Sequence, residues 1–427
     1  MQHLDPAAAG SGPVRRPRHV PGDPRMTAAT WADVPAGSPF PLQNLPYGVF
    51  TPAGDTRARV GVAIGAHVLD VAAVLGDDTF AHGALNPFLA QGRARWTAVR
   101  AELTALLTDS RHRAAVAPHL HPLDAVTLHL PFEVADYVDF YASEHHAANV
   151  GRMFRPGAEP LTPQWKHLPI GYHGRAGTVV ASGTPVVRPC GQKKPDAAGG
   201  PPGFGPSARL DIEAEVGFVV GTGSTLGTPV GTDAFAEHVF GLCLVNDWSA
   251  RDIQAWEYVP LGPFLAKSFA TSVSPWVVPL EALEAARVRP PERAHALRPY
   301  LRETEDWGLD LRLEVRLNGQ PVSRPPFSAM YWTGAQMLAH MTVNGASLRT
   351  GDLYASGTVS GPEPGERGCL MELTWGGEEP LKLADGTSRA FLEDGDEVTL
   401  TATAPGAEGT VIGFGEVTGK ILPAVTD

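Results

Sequence analysis

Carboxylates set in a row beside an apolar strand are the first residues here whose types and spacing suit chemistry. In ARLDIEAEVGFVV, residues 208–220, Asp211, Glu213 and Glu215 occupy alternate positions. On a strand they share one face, with Ile212, Ala214 and Val216 on the other. Such neighbours lie about 7 Å apart. Unit charges at that distance repel by about 0.6 kcal/mol in water, and by about 2.4 kcal/mol at an effective dielectric near 20. On a wet edge the row is harmless; in a cleft it needs a cation or retained protons. The stretch alone leaves both open.

Two further segments hold reactive side chains. EVADYVDFYASEHHAANVGRMF, residues 133–154, carries Asp136, Asp139, Glu144 and the pair His145-His146. If its helix begins early, Asp139 and His146 share a face two turns apart and line one cleft. Only one of two adjacent histidines can face a given site, and a histidine satisfied within the core is the ordinary alternative. In residues 244–279 an apolar strand ends at Asn246-Asp247, and Arg251, Gln254 and Tyr258 follow at helical intervals. Lys267 sits in the apolar PFLAKSF, where a lysine either snorkels to water or is held by anions. A Trp-rich packing loop with a surface Arg251–Asp252 pair is the plainer reading. Carboxylates without a cysteine cluster favour Mg²⁺ or Ca²⁺ over zinc or copper. Such an ion beside a histidine base and a Lys/Arg/Gln group suits a reaction that develops charge on oxygen.

The elements that must position these residues are mostly strands. The 427 residues include 47 glycines and 40 prolines, which points to many tight turns and a mainly β fold with some α. Residues 44–75 read as hairpins of a small β domain. In RARWTAVRAELTALL, Trp96, Val99, Leu103, Leu106 and Leu107 share a helical face. A linker near residue 130 divides residues 38–130 from a larger unit, 131–427. There TPVVRP, EAEVGFVVG, GLCLVND, LRLEVRLNG, DLYASGTVSG, CLMELTW, DEVTLTATA and GKILP read as strands. Helices are expected near 143–153, near 233–240 and around 331–340. Residues 191–207 read as a mobile Gly/Pro-rich loop. Residues 1–37 read as a disordered or mis-assigned tail, with Met26 as the expected start; intact mass tests this.

Composition narrows the function classes. The net charge of −12 and the lack of a basic stripe with aromatics argue against a nucleic-acid partner. No apolar run reaches the roughly 18 residues of a membrane span. Cys190, Cys243 and Cys369 form neither a metal pattern nor a disulfide framework, so a reducing cytoplasm is the expected location.

Long motifs then carry a resemblance. PLQNLPYGVF, DFYASEHHAANVGRMFR, WKHLPIGYHGRAGTVVASGTPVVRP, NDWSARDIQAWEYVPLGPFLAKSF and GDLYASGTVSG closely resemble the fumarylacetoacetate hydrolase family, from about residue 38 to the C-terminus. The resemblance implies a small SH3-like β-barrel N-terminal domain and a larger catalytic domain of rolled, mixed β structure. It implies a homodimer and hydrolysis of the carbon–carbon bond of a diketo di-acid, 4-fumarylacetoacetate, to fumarate and acetoacetate. This is the last step of tyrosine and phenylalanine breakdown.

Residue by residue, the resemblance makes Asp139, Glu213, Glu215 and Asp247 ligands of Ca²⁺ or Mg²⁺. It assigns Lys267 and Thr271 to a second, peripheral ion site. His146, rather than His145, takes the catalytic position with Glu372 as its acid partner. Arg251, Gln254 and Lys267 stabilise the leaving fragment. Tyr141, Arg155, Gln254, Tyr258 and Thr358 contact substrate. Asp211 is no ligand position and is expected in structural hydrogen bonding. Glu144-His145 departs from the family pattern and is a candidate to perturb His146. Two alternatives stand beside this: a same-fold hydrolase, decarboxylase or isomerase for another keto acid, and a non-catalytic ion-binding β protein.

Overall fold

The computed structural model describes residues 29–195, 197 and 199–426. The expected start at Met26 and most of the proposed tail lie outside that range. The tail boundary at residue 37 needs correction, because the chain is tied down from Thr30 onward. The Thr30 hydroxyl and the Trp31 backbone N–H both donate to the Leu107 carbonyl, and the Trp31 indole donates to that of Leu106.

Thirteen strands form one sheet among the described residues. Its path runs Leu120–Pro122, His67–Asp70, Arg59–Ile64, Tyr47–Pro52, Trp276–Pro279, Val239–Asp247, Ala214–Val220, Leu353–Ala355, Tyr137–Phe140, Gly171–His173. Val126–Leu128 branches onto Tyr47–Pro52, and Thr271–Val273 branches onto Val239–Asp247 and pairs with Val179–Ala181. The first half of the chain therefore joins the second by pairing, with Tyr47 opposite Val277 and Gly48 opposite Trp276. The N-terminal strands form no closed barrel among the described residues. Leu120–Pro122 and Val126–Leu128 are linked by the turn Leu123–Ala125, not paired to each other. A second sheet, ordered Gln320–Ser323, Arg312–Leu317, Glu397–Pro405, Val411–Leu422, Val186–Val187, packs on the first.

The apolar run after the acids is explained by burial on both faces. Val216, Phe218 and Val220 enter one core with Leu242, Leu244, Val417 and Ile421. Val219 faces the other core, with Cys243, Val245, Val49, Val62 and the helix Arg93–Thr108. That helix buries Trp96, Val99, Leu103 and Leu107, while Leu106 is only half-buried. A strand covered on both sides has no wet face, so alternation gives way to a continuous apolar stretch.

Several expected elements differ. CLMELTW is a helical turn, Leu370–Leu373, because the Asp211 carboxylate accepts the N–H groups of Leu370 and Met371 at 2.7 and 3.1 Å. Those are the donors a helix start leaves unpaired. In DLYASGTVSG only Leu353–Ala355 is extended. The helix near 233–240 is one turn, Phe235–His238, before strand Val239–Asp247 takes over. The 191–207 loop holds an antiparallel pair, Cys190–Lys193 with Gly203–Pro206.

Candidate active site

Strand register assembles the acids. Asp139 lies in Tyr137–Phe140 opposite Ala355, and Ala355 also faces Gly217 in Ala214–Val220. Glu215 pairs with Val245, two positions before Asp247. Glu213 sits in the break between Leu210–Asp211 and Ala214–Val220. Asp139, Glu213, Glu215 and Asp247 are all buried, with one oxygen of each within 4.8 Å of the others. The row of three acids does not stay together. Asp211 turns away to the Leu370–Leu373 turn and accepts from Arg251 Nε at 2.8 Å. The expected helix joining Asp139 to His146 is also absent. Asp139 is on a strand, and the helix Glu144–Phe154 starts only after the Ser143 cap, whose hydroxyl accepts the His146 N–H.

Two cations lie against the carboxylates. Lys267 Nζ is 2.5 Å from Glu213 Oε2 and 2.7 Å from Asp247 Oδ2. Arg251 Nη1 is 2.7 Å from Glu213 Oε1. Burial opposes ionisation of Glu213, but Lys267 and Arg251 hold its carboxyl well below the usual range. Burial, then the charge of Asp247, pushes Asp139 far up; burial, then Asp139, does the same to Glu215. Burial also raises Asp247, with Lys267 opposing. Asp139 Oδ1 and both Glu215 oxygens are buried without a hydrogen-bond partner. Orphaned carboxylate oxygens in an all-oxygen cluster fit a hard divalent cation. The residues present therefore suit the ion that the family motif implies.

The side chains of the two residues expected at a peripheral ion site lie against the main cluster. Lys267 sits within the main cluster, and the Thr271 hydroxyl donates to Asp247 Oδ1 at 3.0 Å. Among the described residues no second acidic group gathers around them; the other cluster of potential ligands is His146, Cys369 and Glu372.

The strand-to-helix step at Ser143 delivers His146. Its Nδ1 is 2.6 Å from Glu372 Oε2. Burial raises the Glu372 carboxyl, but His146 and further hydrogen bonds from Asn149 and Ser360 outweigh it, bringing it to about 2. With Glu372 ionised, Nδ1 donates and Nε2 is the free ring nitrogen. His146 lines a cavity of about 360 Å³ with Asp139, Glu213, Lys267, Arg251 and Gln254. Tyr141, Arg155, Tyr258 and Thr358 line it too. The Tyr141 ring meets His146 edge to face, 5.2 Å between centroids. Arg155 and Tyr258 are exposed residues at the rim, and Arg155 donates to the Pro160 carbonyl. Thr358 Oγ1 and Arg251 Nη2 are buried without partners. Glu215, Asp247, Thr271 and Glu372 stand behind the lining.

Glu144 points elsewhere, pairing with Lys166 at 2.6 Å. Two further groups join the site. Tyr172 lines the cavity and donates to Asp247 Oδ2 at 3.3 Å. Asn149 bonds Glu372. Both lie inside quoted motifs, and the three-residue spacing of His146 and Asn149 on a helix was the available signal.

Comparison with known proteins places the chain in a family. The model "Fumarylacetoacetase N-terminal" matches residues 43–131, and "Fumarylacetoacetate (FAA) hydrolase C-terminal" matches residues 136–421. Fumarylacetoacetase of Homo sapiens is 48% identical over 409 residues, covering 91% of this chain and 97% of that protein. Fumarylacetoacetase of Arabidopsis thaliana is 47% identical over 417 residues, covering 92% and 98%. Among solved structures, the fumarylacetoacetate hydrolase of Exiguobacterium antarcticum aligns with a TM-score of 0.53 at 18% identity, covering 89% of this chain and 99% of that one. Maleylpyruvate hydrolase from Sphingobium aligns at 0.51 with 16% identity, covering 89% and 100%; these two speak for the fold alone. Matched over both of its parts by these models and at nearly half identity by those relatives, the chain belongs to the fumarylacetoacetate hydrolase family.

Proposed function

We propose that the protein hydrolyses the carbon–carbon bond of 4-fumarylacetoacetate, giving fumarate and acetoacetate. The observation that carries this is the buried His146–Glu372 pair opening on a cavity that also holds two cations and a carboxylate cluster. His146 Nε2 takes a proton from water as the water oxygen bonds the carbonyl carbon of the fumaryl group. Glu372 holds the Nδ1–H and stabilises the imidazolium. The carbon–carbon bond then breaks, and its electron pair leaves with the acetoacetate fragment as an enolate. The imidazolium returns the proton to the enolate carbon, so one water is consumed.

Arg251 Nη2, buried and unpaired, and the third Lys267 N–H are donors for the oxygens that gain charge, and Gln254 stands beside Arg251 at 3.1 Å. Thr358 Oγ1 is a further free hydroxyl for substrate. At the rim Arg155 suits a substrate carboxylate, and Tyr258 and Tyr141 flank it. Asp139, Glu213, Glu215 and Asp247 would hold Ca²⁺ or Mg²⁺, with Lys267 and Thr271 beside them. When bound, that ion supplies positive charge against developing negative charge on substrate oxygen.

Three coarser expectations travel with this reading: an SH3-like N-terminal unit, a homodimer and action in the cytoplasm. Five N-terminal strands with a 3₁₀ turn between the last two support the first. Val259, Leu261, Phe264 and Leu265, exposed at 65, 96, 67 and 52% near the cavity mouth, support a partner copy.

The test is turnover of 4-fumarylacetoacetate by the wild type and by His146→Ala, with and without chelator. The variant should lose about 10²–10⁴-fold in kcat while remaining folded. Near-normal kcat in the variant removes the base, and an inactive wild type removes the reaction.

A further inference from the structure

Glu372 is completely buried, and its two oxygens are held unequally. Oε2 meets His146 Nδ1 at 2.6 Å, the Ser360 hydroxyl at 2.8 Å and the Cys369 thiol at 3.2 Å. Oε1 has one hydrogen bond, from Asn149 Nδ2 at 2.9 Å. Asn149 is three residues beyond His146 on the helix Glu144–Phe154, so one helical face carries both. Arg152 Nη1 donates to Asn149 Oδ1 at 2.9 Å. A guanidinium only donates, so this contact fixes which end of the amide faces the carboxylate. Asn149 is buried and is not part of the cavity lining.

We propose that Asn149, oriented by Arg152, is a positioning residue for the His146–Glu372 pair. It grips the oxygen that His146 does not use, fixes the plane of the carboxylate, and keeps Glu372 ionised. The inference rests on the role proposed above for His146.

A carboxylate held at one oxygen pivots; held at both, it presents a fixed lone pair to Nδ1. An N–H bond to a carboxylate also favours the charged form. No other group facing Glu372 does this at Oε1. Tyr141 packs on His146, with its hydroxyl kept protonated by burial and then by the charge of Glu372. Cys369, on the same turn, is kept as a neutral thiol by burial and then by Glu372, and it serves Oε2. Arg367 Nη1 reaches only the Glu372 backbone carbonyl. Arg152 acts through Asn149. Without the amide, Oε1 is a buried oxygen with no partner, and the pair binds a proton more tightly.

The experiment compares Asn149→Ala and Asn149→Asp in the full-length chain. In Asn149→Ala the acid limb of the kcat profile should move up by about one pH unit. The plateau should fall about tenfold to a hundredfold, with KM within about twofold. Asn149→Asp keeps the volume but sets a second carboxylate beside Oε1, so its limb should move further, by about two units. A packing role predicts the reverse order, with alanine more damaging than the isosteric aspartate and neither limb displaced. An unmoved limb in both variants, or that reverse order, overturns the proposal. Nitrogen NMR of the His146 ring, without substrate, should show the same upward displacement. This measurement stands even if the proposed reaction fails, and an unshifted titration there overturns the clamp alone. If Asn149→Ala does not fold, the displaced or undisplaced limb of Asn149→Asp decides.

Discussion

At the scale of single residues, the site depends on how four buried carboxylates are neutralised. Glu213 has Lys267 and Arg251, and Asp247 shares Lys267. Asp139 and Glu215 lack such partners, and burial drives both toward the protonated form. A raised carboxylate pKa means the folded chain binds more protons than the unfolded chain, so ion-free stability falls as pH rises. A cation must displace those protons. Its affinity should therefore rise with pH above the usual carboxylate range, with protons released on binding. Calorimetry in two buffers of different ionisation enthalpy measures both; pH-independent affinity without proton release would leave Asp139 and Glu215 outside the ligand set.

At the scale of elements, one short turn couples the acids to the histidine. Asp211 caps Leu370–Leu373 through two backbone N–H groups and also holds Arg251, so the same carboxylate seats the turn bearing Glu372 and the Arg251 side chain. Asp211→Asn places an amide against donors and should cost about 2–3 kcal/mol of stability. It should lower kcat while leaving cation affinity unchanged. Glu213→Gln should weaken the cation by more than tenfold, since one charged ligand is lost. Thermal melts and calorimetry on the two variants separate these roles; equal loss of cation affinity in both would contradict the division. Neighbouring acids thus act in different structures, because the strand is interrupted between Asp211 and Ala214.

At the scale of the whole molecule, the main sheet runs through the boundary expected near residue 130. Tyr47–Pro52 pairs with Trp276–Pro279, and one apolar core mixes Val49, Val62 and Leu103 with Val219, Val245 and Leu353. Residues 131–427 alone would expose that second face of the central strands. Expressed separately, they should aggregate or melt far lower, and co-expression with residues 29–130 should restore solubility and cation binding. A stable, cation-binding 131–427 fragment would show that the N-terminal strands are dispensable for the site.

The sequence by itself determined the residue types at the site and most of the strands. Long motifs singled out Asp139, His146 and Asp247, the alternating acids and the short LMELTW pointed to Glu213, Glu215 and Glu372, and β-branched runs such as VGFVV and EVTLTATA announced strands. Periodicity found the helix Arg93–Thr108. Tertiary structure decided the rest, for reasons outside any local window. Alternation alone offered Asp211 and Glu213 as equivalents on one face, the family motif set Asp211 apart, and the tertiary structure supplies the reason: the N–H groups of Leu370 and Met371 occupy Asp211, while Lys267 holds Glu213. CLMELTW has strand-like composition, yet a carboxylate more than 150 residues earlier supplies its helical cap. Asn149 gains a partner beyond its own helix only where Glu372 packs against it. Side-chain chemistry is written locally, but pairing, burial and the choice of hydrogen-bond partner are set by whichever distant segment fills the space.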